Sequence, residues 1–248
     1  MHIITDLSHL PSLSPPIGLT IGTFDGMHLG HQALLHQLKQ CTAGGSQAIL
    51  TFTNPPTGVS QLCTLDHKLK QFEEWGISLV LLFRFTPEFA SQPFDLFLTH
   101  LHEKLPFSYL VLGEEAAFGK DRQGTPERIR ALSKHLFFEV TYIPKHLIDD
   151  QPVSSARIRK ALQEGNLKLV HRLLGRPYSI IAPCAKDQTV HLQSLCLPPS
   201  GPYEVLIRLS SESKPLLAQV DLSQEAQQLT IHAPLPIISS DPIEIEFK

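Results

Sequence analysis

The sequence is poor in the features that mark secreted and membrane proteins. It has four cysteines in 248 residues, and no two of them form a C-x-x-C pair. A disulfide framework or a zinc site is therefore not expected, and the cysteines are interpreted as reduced thiols. The N-terminus lacks a basic segment followed by an apolar one, and the most apolar run, residues 77–83, is far too short for a membrane span. We expect a cytoplasmic protein.

The sequence also lacks an excess of either charge. Its formal net charge of -3 gives no overall basic field for nucleic acid or for an anionic membrane, so neither partner is expected. Hydrophobic residues at 42% and charged residues at 18% are typical of a globular protein. The length favours one large and one small domain. The sequence shows no internal repeats. It does not determine the oligomeric state.

The most informative stretch is residues 19–35, L-T-I-G-T-F-D-G-M-H-L-G-H-Q-A-L-L. A short apolar run, a turn with three glycines and leucines at helical spacing predict a strand, a turn and a helix start. Such a helix start binds anions, and glycines let a phosphate approach the backbone closely. His28 and His31, three residues apart, are placed to reach the same phosphate chain. The pattern favours nucleotide binding.

The two histidines have two plainer interpretations. A zinc site is disfavoured because no third histidine or cysteine stands nearby in the sequence. The other interpretation is a pair of ordinary polar residues after a turn.

Residues 1–182 alternate apolar runs with amphipathic segments. Further strands are predicted at 47–52, 78–83, 109–113 and 139–143, and helices at 65–75, 94–104, 126–136 and 166–174. This alternation predicts a parallel sheet with helices on both faces. Because ligands bind beyond the carboxyl ends of such strands, the loops after Ile21, Phe52 and Gly113 should face one crevice.

Another helix start is predicted in the string V-S-S-A-R-I-R-K-A-L from Val153 onward. Ser154 or Ser155 suits the N-cap. Arg157 and Arg159 follow within the first turns, where a cation opposes the helix dipole, so they suit phosphate binding better than helix stability. An ordinary solvated basic face is the alternative.

After Tyr178 the helical periodicity disappears. Short alternating runs predict strands around residues 190–195, 203–209, 216–221, 229–231 and 243–247. The sequence therefore predicts a small all-β domain at the C-terminal end.

The string G-T-F-D-G-M-H-L-G-H resembles the signature of the H-x-G-H nucleotidyltransferase superfamily, and its G-x-F-D-G-x-H-x-G-H form is similar to the bacterial FAD synthetases. Those proteins carry an FMN adenylyltransferase module followed by a riboflavin kinase module. The later strings G-E-E-A-A-F-G and L-L-G-R-P-Y extend the resemblance. It implies an α/β, Rossmann-like nucleotidyltransferase domain with a parallel sheet at residues 1–182. A degenerate kinase-like all-β domain, an abbreviated barrel, would follow at residues 183–248.

The resemblance implies transfer of AMP from ATP to FMN, with FAD and pyrophosphate as products and Mg²⁺ accompanying ATP. The implied catalytic residues are His28, His31, Ser155 and Arg157. The implied ATP-binding residues are Gly22, Thr23, Phe24, Asp25, Gly30, Ser154 and Arg159. The implied FMN-binding residues are Phe52, Asn54, Gly113, Glu114, Glu115 and Phe118. Asp25 is expected to hold the turn rather than a metal.

Four positions depart from the family pattern. Asn54 stands in L-T-F-T-N-P-P where the family has T-F-D-P-H-P. Glu115 replaces Asp or Asn, and Ala116 replaces an aromatic residue. Ala156 replaces a threonine, so one hydroxyl donor to phosphate is missing and weaker phosphate binding is expected.

The C-terminal segment lacks the kinase motifs. No P-T-A-N string precedes L-P-P-S-G-P-Y, and Thr230 stands where the family has the glutamate that acts as base. A riboflavin hydroxyl needs its proton removed, so the kinase activity is expected to be lost. Two alternatives stay open. The chain may adenylylate phosphopantetheine or nicotinate mononucleotide, or transfer cytidylyl groups, or it may bind flavin or nucleotide without catalysis.

Overall fold

The computed structural model describes residues 1–54, 59–192, 194–209, 214–233 and 242–248. The chain divides into two compact units, each built from separate segments. The first unit comprises Met1–Phe24, Gly30–Gly58 and Gln71–His146, and the second comprises Asp25–Leu29, Val59–Lys70 and Leu147–Lys248. The division at residue 182 inferred from the sequence stays a prediction.

The first unit contains a parallel sheet of six strands with the order β1-β4-β3-β2-β5-β6. The strands are β1 (His2–Ile4), β2 (Ile17–Ile21), β3 (Ser46–Phe52), β4 (Leu79–Phe83), β5 (Tyr109–Gly113) and β6 (Glu139–Ile143). The helices of this half of the chain are α1 (Leu29–Thr42), α2 (Leu65–Glu74), α3 (Pro87–Ala90), α4 (Phe94–Lys104) and α5 (Pro126–Leu136). The parallel α/β arrangement predicted from the sequence is confirmed.

The strand order places the ligand crevice. From β2 the chain proceeds outward to β3 and β4 on one side, and later to β5 and β6 on the other. The order reverses between β2 and β5, and in open parallel sheets such a reversal opens a crevice at the carboxyl ends of the strands. The central strands are mostly apolar, and Leu19, Leu50 and Leu110 are fully buried. This apolar sheet therefore forms a rigid base for the loops above it.

The second unit contains an antiparallel sheet with the order β10-β13-β12-β11-β14-β9. Its strands are β9 (Ser179–Pro183), β10 (Thr189–His191), β11 (Gly201–Arg208), β12 (Leu216–Ser223), β13 (Gln228–Ile231) and β14 (Pro242–Phe247). A bridge between Cys184 and Val190 joins the two outer strands, so the sheet closes into a small barrel. The predicted small C-terminal β domain is confirmed.

Side chains fill the barrel. Val205, Ile207, Val220 and Ile245 alternate along their strands with less buried residues and belong to one apolar core. Helices α6 (Ser155–Gln163) and α7 (Leu167–Leu174) contribute to the same core. A short hairpin of β7 (Leu147–Ile148) and β8 (Gln151–Pro152) precedes them. Among the described residues, no helix is both long and apolar enough to cross a bilayer.

Two of the three leucines of α4, at positions 96 and 98, test the apolar core of the first unit. Leu98 is fully buried, whereas the side chain of Leu96 is 66% exposed on the same helix. Leu98→Ala should lower the free energy of unfolding by about 2–5 kcal/mol, because a cavity forms. Leu96→Ala, the matched control, should change it by about 0.5 kcal/mol or less. Denaturant unfolding measures both, and equal effects would contradict this packing.

His67 tests the burial of α2 in the second unit. Burial, together with the nearby Arg176 charge, lowers the pKa of His67 to about 3. The unfolded state binds a proton near pH 6.5 and the folded state only near pH 3. The stability that neutral His67 contributes is therefore complete above pH 6.5 and is lost as the pH falls toward 3.

His67→Gln should consequently flatten the stability curve in that window. The wild type should lose up to about 1.4 kcal/mol more per pH unit than the variant does. His36→Gln, at an exposed position on α1, is the control and should follow the wild type. Unfolding by urea at a series of pH values measures the difference, and parallel curves for wild type and His67→Gln would refute it.

Candidate active site

The turn at residues 25–29 is fixed by hydrogen bonds within the second unit. The Asp25 carboxylate accepts the Leu62 N–H at 2.8 Å and pairs with the Arg159 guanidinium at 2.5 Å. The Asp25 carbonyl accepts the Ser155 hydroxyl at 2.9 Å. Asp25 therefore holds the turn, as expected from the sequence, and it does so through α6.

Gly26 is required by the same turn. Its φ is +80°, and a Cβ atom would lie 2.8 Å from the Leu62 Cδ1 atom. Its carbonyl accepts the Arg176 guanidinium at 3.0 Å, and its N–H donates to the Cys63 thiol at 3.4 Å. With both backbone groups bonded, the turn presents a fixed backbone, and the following His28 is 7% exposed.

Burial dominates the electrostatics around this turn. Burial raises the pKa of Asp25 by more than the Leu62 N–H and Arg159 lower it, and it raises the pKa of Cys63 to about 11. Burial likewise lowers the pKa of Lys68, against the opposing effects of Cys63 and Asp25. Cys63 is therefore a protonated structural thiol at neutral pH, and it is not an activated nucleophile.

Helix α6 begins as the sequence predicts. Ser154 is the N-cap, and its hydroxyl accepts the Arg157 N–H at 3.2 Å. The Arg157 guanidinium donates to the carbonyls of Ile148 and Gln151, both at 2.9 Å, and so holds the β7–β8 hairpin. The phosphate contacts expected of Ser154, Ser155, Arg157 and Arg159 stay predictions, since the observed partners of all four lie within the protein.

The first half of the motif, up to Phe24, lies in the first unit. The Gly22 N–H donates to the Leu50 carbonyl at 3.0 Å, and the Thr51 hydroxyl donates to the Thr23 carbonyl at 3.1 Å. Phe24 is fully buried with φ +50°, and its ring centroid lies 5.1 Å from that of His31. Phe24 is thus a packing residue of this turn.

The chain changes unit within the motif. It enters the second unit at Asp25 and returns to the first at Gly30, in the first turn of α1. His28 consequently belongs to the second unit and His31 to the first.

A cleft of about 720 Å³ opens in the first unit at the carboxyl ends of β2 and β3. Most of its wall is aromatic or aliphatic. The lining residues are Ile21, Gly22, Thr23, Phe52, Phe85, Phe89, Ala90, Gln92, Phe97, Glu115, Ala116, Ala117, Phe118, Gly119, Asp121 and Arg122. Within this wall, Phe89 packs edge-on against Phe52 and Phe97, with ring centroids 5.4 Å apart in each pair. A cleft of this size and composition suits a flat aromatic ligand.

A loop after β5 forms one wall of the cleft. Gly119 has φ +77°, and a Cβ atom there would lie 2.6 Å from the Phe94 Cβ atom. The Lys120 N–H donates to the Gln92 carbonyl at 2.8 Å. Asp121 and Arg122 both have φ of +53°, a conformation uncommon outside glycine. The loop is therefore closely held against the start of α4.

Three of the six expected flavin residues line the cleft: Phe52, Glu115 and Phe118. Asn54 instead binds the backbone of Phe85, accepting its N–H at 3.0 Å and donating to its carbonyl at 3.1 Å. The Glu114 carboxylate accepts the Lys145 N–H at 3.3 Å. Neither Asn54, Gly113 nor Glu114 is among the described residues that line the cleft.

Sequence reasoning missed most of the aromatic wall. Phe85, Phe89 and Phe97 were not assigned to any site, and neither were Gln92 and Arg122. The density of phenylalanine between residues 83 and 97 was the available signal. These phenylalanines are not spaced with the period of a helix or a strand, so only the folded structure shows that several of them line one cleft.

Residues 11–157 match the sequence profile of the family described as FAD synthetase. Similar curated proteins include the bifunctional riboflavin kinase/FMN adenylyltransferases of Buchnera aphidicola (31% identity, 73% of this chain and 61% of the relative) and Haemophilus influenzae (31%, 85% and 75%). A Listeria monocytogenes protein named FAD synthetase is 28% identical over 85% of this chain and 89% of its own length. The match thus covers less than two thirds of the length of the Buchnera relative.

A crystal structure described as a macrolide-efflux protein from Streptococcus pneumoniae superposes with a TM-score of 0.81 at 20% identity. The match covers 99% of this chain and 88% of that one, and at this identity it shows a shared fold alone. The profile match spans more than half of the chain, and the match to the Haemophilus protein agrees with it. The chain therefore belongs to the FAD synthetase family.

Proposed function

We propose that the chain is an FMN adenylyltransferase, which transfers AMP from ATP to FMN and releases FAD and pyrophosphate. The observation that carries this proposal is the phenylalanine-lined cleft directly beyond β2, the strand that leads into the G-x-F-D-G-x-H-x-G-H string. The isoalloxazine ring of FMN is large, flat and mostly apolar, and it matches that wall. Phosphopantetheine has no aromatic ring that would require such a wall.

The reaction needs alignment and charge neutralisation more than proton transfer. The second pKa of a phosphate monoester is about 6, so the FMN phosphate is already mostly a dianion at neutral pH. One of its oxygens attacks the α-phosphorus of ATP, and the bond to the β-phosphate oxygen breaks. A general base is therefore not required. Donors aimed at the phosphate oxygens supply the catalysis.

We assign these donors to His28, His31, Ser155 and Arg157. Ser155 and Arg157 donate to backbone carbonyls in the structure described above. On ATP binding, each would exchange a carbonyl partner for a phosphate oxygen. Asp25 and Arg159 keep a positioning role, because their ion pair fixes the turn that carries His28.

Magnesium enters the proposal as part of the Mg-ATP substrate. Mg²⁺ is commonly held by substrate phosphates, a few carboxylates and several waters. Within the described part of the chain, no group of three or more His, Cys, Asp or Glu side chains is placed to hold a metal ion.

We further propose that the barrel has no riboflavin kinase activity. Thr230 on β13 lies between Thr189 and Asp221 in the neighbouring strands, and a threonine hydroxyl cannot serve as the base that the family glutamate supplies. Aliphatic side chains fill the barrel. The Listeria relative with 89% coverage is named for FAD synthesis alone.

Product chromatography tests the proposal directly. The purified chain, incubated with Mg-ATP and FMN, should form FAD and pyrophosphate, and a chelator should abolish the reaction. Riboflavin in place of FMN should yield neither FMN nor FAD, and nicotinate mononucleotide should not react. Absence of FAD at saturating Mg-ATP would overturn the transferase assignment. Formation of FMN from riboflavin at a comparable rate would overturn the loss of the kinase.

The histidines of the motif give a residue-level prediction. His28→Ala and His31→Ala should each lower kcat by about 100-fold to 1000-fold, because each removes one preorganised donor to a phosphate oxygen. His36→Ala, at an exposed position further along α1, is the control and should keep wild-type kcat. Circular dichroism spectra and Tm values should show that both histidine variants are folded. Wild-type turnover in both motif variants would place the chemistry elsewhere.

A further inference from the structure

The sheet sets the orientation of FMN in the cleft, if the proposed function holds. The FMN phosphate must reach the turn after β2, whereas Phe85, Phe89 and Phe97 follow β4 in the chain. Strands β2 and β4 are separated by β3, which corresponds to roughly 10 Å at the usual strand spacing. The ribityl chain of FMN spans such a distance. We therefore expect the isoalloxazine ring among the phenylalanines of the cleft wall, away from this turn.

Gln92 is a polar residue beside these phenylalanines. It lies between α3 and α4 and lines the cleft with Phe89 and Phe97. Its backbone is fixed on both sides, since its carbonyl accepts the Lys120 N–H at 2.8 Å and its N–H donates to the Phe89 carbonyl at 3.3 Å. Its exposed side-chain amide makes no hydrogen bond to the residues that the structure describes. Gln92 therefore lines the cleft from a fixed backbone, and its carboxamide has no protein partner among the described residues.

The carboxamide matches one edge of the flavin ring. The pyrimidine edge of isoalloxazine presents an N–H donor at N3 between two carbonyl acceptors at C2 and C4. A primary carboxamide offers one acceptor and two donors side by side, so it can accept from N3–H and donate to a neighbouring carbonyl. The dimethylbenzene edge of the ring has no polar group and suits the phenylalanines.

The other polar side chains of the cleft fit this edge less well. Glu115 is ion-paired with Lys145, and Arg122 donates to the Glu115 carbonyl. Thr23 follows β2, at the phosphate end. The Asp121 carboxylate can accept from N3–H, but it has no proton to donate to the flanking carbonyls.

We propose that Gln92 determines flavin specificity by binding the N3–H and an adjacent carbonyl of the pyrimidine edge. This inference rests on the proposed function, because it assumes that FMN occupies the cleft. It assigns to Gln92 recognition of the ring rather than a part in phosphate transfer. Loss of the side chain should weaken flavin binding and raise the KM for FMN, and it should leave kcat almost unchanged.

A binding cycle with two flavins tests the assignment. Quenching of flavin fluorescence gives the Kd of FMN and of N3-methyl-FMN for the full chain in each variant. The wild type should bind FMN about 10-fold more tightly than N3-methyl-FMN, as expected for one or two net hydrogen bonds. Gln92→Met, which keeps the length and removes the polar atoms, should bind both flavins about equally. If Gln92 had only a structural role, its replacement would raise the Kd of both flavins by the same factor, and the ratio of the two Kd values would stay as in the wild type.

Gln123→Met is the matched control, because Gln123 is also exposed and lies in the neighbouring loop but does not line the cleft. It should keep the 10-fold ratio. Gln92→Leu provides a second variant if Gln92→Met does not fold, as judged by circular dichroism. Retained discrimination in the folded Gln92 variants, or none in the wild type, overturns the assignment of Gln92 while FMN binding and FAD formation stand. Absence of any FMN binding to the wild type overturns the assignment together with the proposed function.

Discussion

The ion pair between Asp25 and Arg159 is the interaction on which the motif turn depends. Both side chains are mostly buried, at 13% and 20% exposure. A buried charge is tolerated only with a partner and further hydrogen bonds, and the Leu62 N–H and the Ser60 carbonyl supply these on the two sides. The turn is therefore held by residues far away in the sequence. Its geometry depends on the folding of α6, and local preference in the glycine-rich string alone does not maintain it.

This dependence agrees with the way the chain is divided. Each unit is assembled from separate segments, and the motif supplies residues to both. The five residues from Asp25 to Leu29 contribute to the second unit although both flanking segments belong to the first. A motif that the sequence presents as one continuous string is thus shared between two compact units. A change at Leu62, Ser155 or Arg159 can therefore disturb the motif although none of these residues belongs to it.

Much of the fold could be predicted from the sequence. The bounds of α4, β5, α5 and β6 agree with the prediction, because their apolar periods are clear and a proline or glycine marks several of their ends. The short elements β1, α3 and the β7–β8 hairpin were missed, since elements of two to four residues show no measurable period. The partners of Arg157 could not be predicted either, because they are backbone carbonyls, which no residue type reveals. The proposed chemistry was inferred from the family resemblance, whereas the phenylalanine wall of the cleft could be identified only from tertiary contacts.

The amide of Asn54 shows how a departure from the family pattern can be used. Backbone pairing between β3 and β4 continues to the bond from the Thr53 N–H to the Phe83 carbonyl. Beyond it, the Asn54 side chain takes the place of a peptide group and bonds both the N–H and the carbonyl of Phe85. The Asn54 side chain thereby continues the hydrogen bonding between the two strands to Phe85, which lines the cleft. Phe85 is therefore held at the end of the sheet by two hydrogen bonds, so a flavin in the cleft would spend less binding energy on ordering this part of the wall.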